Sequence, residues 1–201
     1  MRKALLAAAV VLLFSTFVCA QAANDAKNEY SLWGGYSPDS TTAIKAFGRT
    51  PDTRFGIVAF RYSRRFNNGD KVNLKYTADV VPVAVLNFPD FLPVPPVRKT
   101  AYAFGVTPLG IQANFRPRKK YQPYGTLAGG FMWFNKQVPN VLGTKFHFTA
   151  DIGGGLEIRV KERRAVSVGY KYYHISNGQR GQINPGFDNN VFYLGYTFFS
   201  N

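Results

Sequence analysis

Apolar and polar residues alternate along most of this chain, in segments of roughly ten residues separated by turn-forming sequences. The segment 72–80 alternates strictly, and 146–160 repeats the pattern with Asp151, Glu157 and Arg159 on its polar face. Because successive side chains of a β-strand point to opposite faces, this period of two predicts strands with one apolar and one polar face. No segment shows a convincing helical period, so an all-β fold is expected.

Eight such segments are predicted, and their connections alternate in length. The strands are expected near 29–37, 54–66, 71–81, 101–116, 122–136, 145–160, 166–176 and 190–199. Short polar turns lie at 67–70, 117–120 and 161–164, and longer segments at 38–53, 82–100, 137–144 and 177–189. An even number of strands with this asymmetry is typical of an antiparallel transmembrane β-barrel of the outer membrane. Eight strands enclose a lumen that side chains fill, so a diffusion pore is not expected.

Aromatic residues near the predicted strand ends are expected to form girdles at the two membrane interfaces. They are Tyr30, Trp33, Tyr36, Tyr62, Trp133, Phe134, Tyr172 and Tyr196. The alternative is a soluble exported barrel of the lipocalin type, whose apolar faces point inward. The two folds differ in the position of Asp151, Glu157 and Arg159, which line the lumen of a membrane barrel and face water in a soluble one.

The N-terminus has the pattern of a cleaved export signal. A basic start precedes an apolar run, and residues 20–22 (Ala-Gln-Ala) have the small-x-small pattern of a signal-peptidase site. Residues 1–22 are therefore predicted to be a signal peptide and residues 23–201 a single β-barrel domain. The one cysteine, Cys19, precedes the cleavage point, so the mature domain has no thiolate for a disulfide or a metal.

Composition excludes several function classes. Of the 201 residues 46% are hydrophobic and 18% charged, which excludes a disordered chain and a coiled coil. The formal charge of +14 is spread along an exported chain, which argues against a nucleic-acid partner. With two histidines in the chain, His147 is expected to be a lumen residue hydrogen-bonded near Asp151, and no metal site or cofactor is predicted.

One segment near the C-terminus, 172–178 (Tyr-Tyr-His-Ile-Ser-Asn-Gly), carries the residues of a nucleophilic site. His174 and Ser176 are two positions apart on a predicted strand, so they share a face with α-carbons about 6.5 to 7 Å apart. Imidazole can act there as base to the hydroxyl, and it needs a third group that fixes its tautomer. Asp188, carried back by the following loop, is the candidate third group. Asn177 or nearby backbone amides are candidate donors to an oxyanion.

The phase of this strand predicts which way the pair faces. Val166, Val168 and Tyr170 share the face of His174 and Ser176, so an apolar face that meets lipid places the pair at the lipid as well. With a periplasmic N-terminus the seventh strand runs outward, and the pair then lies at its extracellular end.

The final hairpin resembles the PagL-like family of outer-membrane lipid A deacylases. That family carries His-x-Ser-Asn, a Gly-containing loop with Asn, and an acidic residue about a dozen positions after the serine; here these positions hold His174, Ser176, Asn177, Asn184 and Asp188. The resemblance implies hydrolysis of a lipid A acyl ester, at the 3-O position, with lipopolysaccharide as substrate in the cell outer membrane. It implies Ser176 as nucleophile, His174 as base and acid, and Asp188 as the group that orients the imidazole.

The sequence departs from the family's pattern at the acidic residue, which is typically Glu. Asp188 is one methylene shorter, so its hydrogen bond to the imidazole requires a closer backbone or a bridging water. The alternative function is a non-catalytic barrel that supports membrane integrity or adhesion through its loops, and homodimer formation stays open. Basic residues of the long segments are candidates to meet lipid phosphates or to stay solvated; they are Lys45, Arg49, Arg98, Lys99, Lys136 and Arg180.

Overall fold

Eight antiparallel strands form one closed barrel in sequence order. The computed structural model describes residues 26–40, 50–92 and 94–200. The strands are β1 (Asn28–Ser37), β2 (Arg54–Arg65), β3 (Val72–Asp90), β4 (Val97–Phe115), β5 (Tyr121–Val138), β6 (Thr144–Lys161), β7 (Arg164–Ser176) and β8 (Phe187–Ser200). Because β1 pairs with both β2 and β8, the sheet has no free edge. The predicted eight-stranded all-β fold is confirmed, whereas the predicted signal peptide at 1–22 lies outside the described residues.

The outer wall of the barrel is apolar. Each strand exposes large hydrophobic side chains at alternate positions, for example Leu32, Phe60, Val80, Phe104, Leu127, Ile152, Val168 and Phe192. Asp151 and Glu157 are buried in the lumen, and Arg159 lies 3.3 Å from Glu157 on the same side of the sheet. The charged faces therefore point inward, as a membrane barrel requires and a lipocalin-type barrel does not. Within the described ranges no helix is long and apolar enough to cross a membrane.

Ion pairs fill the half of the lumen near the short turns. The closest are Arg61–Asp79 at 2.7 Å, Lys75–Glu29 at 2.8 Å and Lys171–Asp151 at 2.8 Å. Since an unpaired buried charge is costly, opposite charges must meet across the lumen from different strands. Asp151 is thus engaged by Lys171, and His147 instead packs edge-on against Phe134 with ring centroids 5.0 Å apart. The expectation that His147 is hydrogen-bonded near Asp151 is wrong, although its buried position is as predicted.

The half of the lumen near the long loops is an apolar core. Its buried members include Phe55, Leu86, Phe88, Ala103, Met132, Phe134, Tyr173, Ile175, Phe187 and Val191. Trp33 and Phe134 were expected in the aromatic girdles, but they are 4% and 0% exposed and pack inside. Side chains alternate between the two faces of β1, and Tyr30 and Leu32 occupy its outward positions, so Trp33 points into the lumen. Aromatic character near a strand end does not by itself indicate which face a residue takes.

Strands β3 and β4 extend well into the segment 82–100, which the sequence predicts as a loop. Pro82 lies at a shift in register between Val81 and Ala84, where the ladder requires no donor from it. Beyond that irregularity β3 and β4 pair again as far as Asp90 and Val97. Pro82 therefore marks a bulge rather than the end of a strand, and the connection shrinks to 91–96.

We expect Asp79→Ala to lower the free energy of unfolding by about 3 to 5 kcal/mol, because it leaves Arg61 buried without its bidentate carboxylate. The measurement is a urea titration of the barrel in detergent micelles, followed by heat-modifiable migration. Asp70→Ala is the matched control, since Asp70 pairs with Arg118 where both side chains are mostly exposed, and it should change little. Equal effects of the two variants would contradict a stabilising lumen network.

Candidate active site

His174 and Asp188 face each other on the last hairpin of the barrel. They are direct partners in the ladder between β7 and β8, and Nδ1 of His174 lies 2.6 Å from Oδ1 of Asp188. The imidazole is 20% exposed and the carboxylate 1% exposed. A carboxylate that accepts from Nδ1 holds the proton there, so Nε2 becomes the basic atom of the ring. The pair can thus hold a histidine in the tautomer that a general base needs.

The start of β8 explains how an aspartate reaches the imidazole. The sequence predicts this strand from residue 190, with Asp188 in the preceding loop, but β8 begins at Phe187. Directly opposite residues of an antiparallel pair have α-carbons about 4.5 to 5.5 Å apart. At that separation the short side chain spans the gap without a bridging water. The shorter side chain of an aspartate requires its backbone to lie closer to that of the histidine. The direct pairing of His174 with Asp188 across the two strands provides this short separation.

Ser176 is the last residue of β7 and shares the outward face with His174. Its side chain is partly exposed, and on the same face Val168 and Tyr170 are exposed to the surroundings of the barrel. The serine pairs with Phe148 of β6, and its Oγ accepts a hydrogen bond from the backbone N–H of Gly178 at 3.3 Å. The structure therefore brings the serine, the histidine and the aspartate to one end of the outer wall, the end with the longer loops.

Asn177 and Asn184 hold the loop that follows the serine. The backbone N–H of Asn177 donates to Oδ1 of Asn184 at 3.0 Å, and its side-chain Nδ2 donates to the carbonyl of Ile183 at 2.8 Å. The backbone N–H of Asn177 and one of its two side-chain N–H groups are thus engaged within the loop. The amide directed at Ser176 is that of Gly178, one of the nearby backbone amides that the sequence offers as donors to an oxyanion.

Gly178 occupies a position that other residues do not fit. Its φ of +62° is in the left-handed region, and a Cβ built on it would lie 2.9 Å from the ring of Phe148. The glycine therefore permits both the turn and the close packing that direct its amide toward Ser176. The signal in the sequence is a glycine immediately after His-x-Ser-Asn.

The basic residues of the long segments have different surroundings. Arg98 pairs with Asp52 at 2.6 Å, and Lys99 pairs with Asp90 at 2.5 Å. Arg180 lies instead over two aromatic rings of β6, and Lys136 is half-buried on β5. Lys45 and Arg49 lie outside the described residues. In the part of the chain that the structure describes, no three His, Cys, Asp or Glu side chains are grouped to hold a metal ion.

Comparisons with known proteins agree with this architecture. The family model of lipid A 3-O-deacylase (PagL) matches residues 58–197, well over half of the chain. The crystal structure of the outer membrane enzyme PagL is 14% identical, with a TM-score of 0.53 over 85% of this chain and 98% of that one. Neisserial surface protein A (NspA) is 8% identical, with a TM-score of 0.50 over 85% and 96%. At these identities the structural matches show a shared fold alone, and no curated protein matches the sequence.

We expect a fluorophosphonate probe to label Ser176 in the folded protein, because the histidine beside it raises the nucleophilicity of the hydroxyl. His174→Ala should slow labelling about 100-fold or more, as loss of a general base does. Mass spectrometry of the labelled peptide gives the site and the rate. Ser167→Ala removes a serine of β7 that lines the lumen, so it should label normally. Unchanged labelling of His174→Ala would show that the two residues do not act together.

Proposed function

This chain belongs to the PagL family of lipid A 3-O-deacylases, and from that premise we propose that it hydrolyses the 3-O acyl ester of lipid A with Ser176, His174 and Asp188. The observation that carries the proposal is the contact of 2.6 Å between His174 and Asp188 beside a serine on the same face. A hydroxyl, an imidazole and a buried carboxylate in this order are the three parts of a serine esterase.

Acylation is the first half of the proposed reaction. Oγ of Ser176 attacks the carbonyl carbon of the ester while Nε2 of His174 accepts the hydroxyl proton. The carboxylate of Asp188 stabilises the imidazolium that forms. The tetrahedral intermediate then collapses, the bond to the sugar oxygen breaks, and Nε2 donates its proton to that oxygen. The products of this half are a free 3-hydroxyl on the glucosamine and an acyl-serine.

Deacylation regenerates the enzyme by the same proton path. A water molecule attacks the acyl carbon, and His174 accepts one of its protons. When the bond to Ser176 breaks, the histidine returns that proton to Oγ. The overall reaction consumes one water and releases one fatty acid, which ionises at neutral pH.

The backbone of Gly178 supports a role in stabilising the oxyanion. Its N–H donates to Oγ of Ser176, so it is directed at the atom beside which the negative charge develops. Asn177 and Asn184 support this role indirectly, since their hydrogen bonds hold the loop that carries the amide. We assign the oxyanion donor to Gly178 and the two asparagines to the loop.

The position of the site on the outer wall suits a lipid substrate. Tyr173 and Ile175, the lumen-facing neighbours of His174, are buried in packed core, whereas the face of the histidine is the one that carries exposed apolar residues. Longer loops of outer-membrane barrels are extracellular, so we infer that the site lies in the outer leaflet. That leaflet contains lipopolysaccharide, whose acyl esters lie just below the membrane interface.

We expect expression of this chain to remove one 3-O-linked acyl chain from lipid A, detected by mass spectrometry of extracted lipid A. Ser176→Ala should abolish the change. Asp188→Asn should reduce turnover about 10⁴-fold, because an amide neither stabilises the imidazolium nor selects its tautomer. Asp188→Glu should retain part of the activity, since it keeps the charge but must adjust a direct contact.

Ser167→Ala is the matched control for these variants, and all rates are normalised to the heat-modifiable, folded fraction. An unchanged lipid A profile with correctly folded wild-type protein would favour the non-catalytic barrel. Wild-type activity in Ser176→Ala would place the nucleophile elsewhere.

We expect Gly178→Ala to lower kcat about 10- to 100-fold with little change in the unfolding of the barrel, because the new Cβ displaces the amide from Ser176. Gly125→Ala is the control, since the nearest atom to its Cβ is a carbonyl oxygen 3.9 Å away. Adding Phe148→Ala removes the clash and should restore part of the activity. Full activity in Gly178→Ala would exclude this amide as the oxyanion donor.

A further inference from the structure

Arg180 is a cation held on the outer wall beside the candidate nucleophile. Its guanidinium carbon lies 5.3 Å from the ring centroid of Phe146 and 4.9 Å from that of Phe148. Phe148 is the ladder partner of Ser176, so the ring beneath the cation is next to the serine. The backbone N–H of Arg180 donates to the carbonyl of Asn177 at 3.3 Å, which ties the arginine to the loop.

The aromatic rings beneath Arg180 are themselves fixed. Phe146 and Phe148 meet edge to face with centroids 5.1 Å apart, and Phe146 stacks on Phe131 at 5.6 Å. Gly178 leaves room for the ring of Phe148 under the loop. A guanidinium held over fixed rings loses less side-chain entropy when it binds an anion, because part of its freedom is already restricted.

Within residues 26–40, 50–92 and 94–200, no ion pair neutralises the charge of Arg180. In the described residues no carboxylate lies within ion-pair distance of it, whereas Arg98 and Lys99 at the same end of the barrel have carboxylate partners. The ring faces attract the guanidinium but accept no conventional hydrogen bond, so its N–H groups can still donate to an anion. Those donors match the oxygens of a phosphate in a bidentate arrangement.

We propose that Arg180 binds a phosphate group of the glycolipid substrate and thereby positions its ester at Ser176. This proposal rests on the proposed function and adds the chemical class of the substrate headgroup, a phosphorylated glucosamine. Lipid A carries phosphates on the same disaccharide as its acyl esters, so one molecule can reach both residues. A phosphate on Arg180 holds the headgroup at the loops while the acyl chain lies along the apolar wall.

Kinetics on two matched substrates test the proposal. The full chain in detergent micelles is assayed on phosphorylated lipid A and on the same lipid A after phosphatase treatment. Arg180→Gln should raise KM for the phosphorylated substrate about tenfold or more and leave KM for the dephosphorylated one nearly unchanged. Arg180→Lys should be intermediate, since it keeps the charge without the bidentate geometry.

Arg54→Gln is the matched control. Arg54 is exposed at the start of β2, at the same end of the barrel and three strands away from β7, so its loss should affect neither substrate. An equal effect of Arg180→Gln on both substrates would overturn the proposal, because it would assign the arginine to loop structure. Unchanged KM on phosphorylated lipid A would also overturn it.

Binding in an inactive background separates this proposal from the proposed function. Ser176→Ala with Arg180 intact should bind phosphorylated lipid A more tightly than the dephosphorylated form, and the additional Arg180→Gln change should remove that preference. If wild-type protein hydrolyses neither substrate, the proposed function fails, while the binding preference still tests the arginine. Equal binding of both lipids with Arg180 intact would refute the phosphate site alone.

Discussion

The register between β7 and β8 is the constraint on which the candidate site depends. His174 contacts Asp188 because the two residues are direct ladder partners, and a slip of one residue on β8 would turn the carboxylate into the lumen and present Asn189 outside. The inward residues of the same hairpin oppose such a slip. Ile175 and Phe187 are also partners, and both are buried in the apolar core. Closure of the barrel through β1 fixes β8 from its other side, so the contact between the two catalytic candidates follows from packing that involves the whole sheet.

The two faces of each strand have different functions in this barrel. The lumen face supplies stability, through ion pairs near the short turns and apolar packing near the long loops. The outer face meets lipid and, at one end of β7 and β8, carries polar residues instead. This division lets His174 and Ser176 remain partly exposed while Tyr173 and Ile175 behind them are held in core. Ser176, His174 and Asp188 are therefore carried by paired strands, whereas Gly178 and Arg180 lie in the loop that follows β7.

Features that depend on local periodicity are those that the sequence predicts well. The number of strands and the shared face of His174 and Ser176 follow from a period of two, which is a property of short segments. The direct pairing of Asp188 is not local, because it depends on where β8 begins to pair with β7. The prolines of 82–96 suggest a loop, yet pairing across a bulge overrides that preference for much of the segment. Trp33 shows the same limit, since the parity of its strand and not its chemistry places it in the lumen.

The loop after Ser176 carries two groups that we propose act on a membrane-bound substrate, an oxyanion donor and a phosphate-binding side chain. A lipid confined to the bilayer is already concentrated at the wall, so the protein gains most by fixing its orientation. The amide of Gly178 and the side chain of Arg180 lie in one loop, and Phe148 contacts both positions from β6. Binding energy from a headgroup phosphate can then hold the ester at the serine without any contact to the reacting atoms. The ring of Phe148 supports both the amide of Gly178 and the side chain of Arg180. A change that repacks Phe148 should therefore alter both KM and kcat, whereas a change in the N–H contacts of Arg180 should alter KM alone.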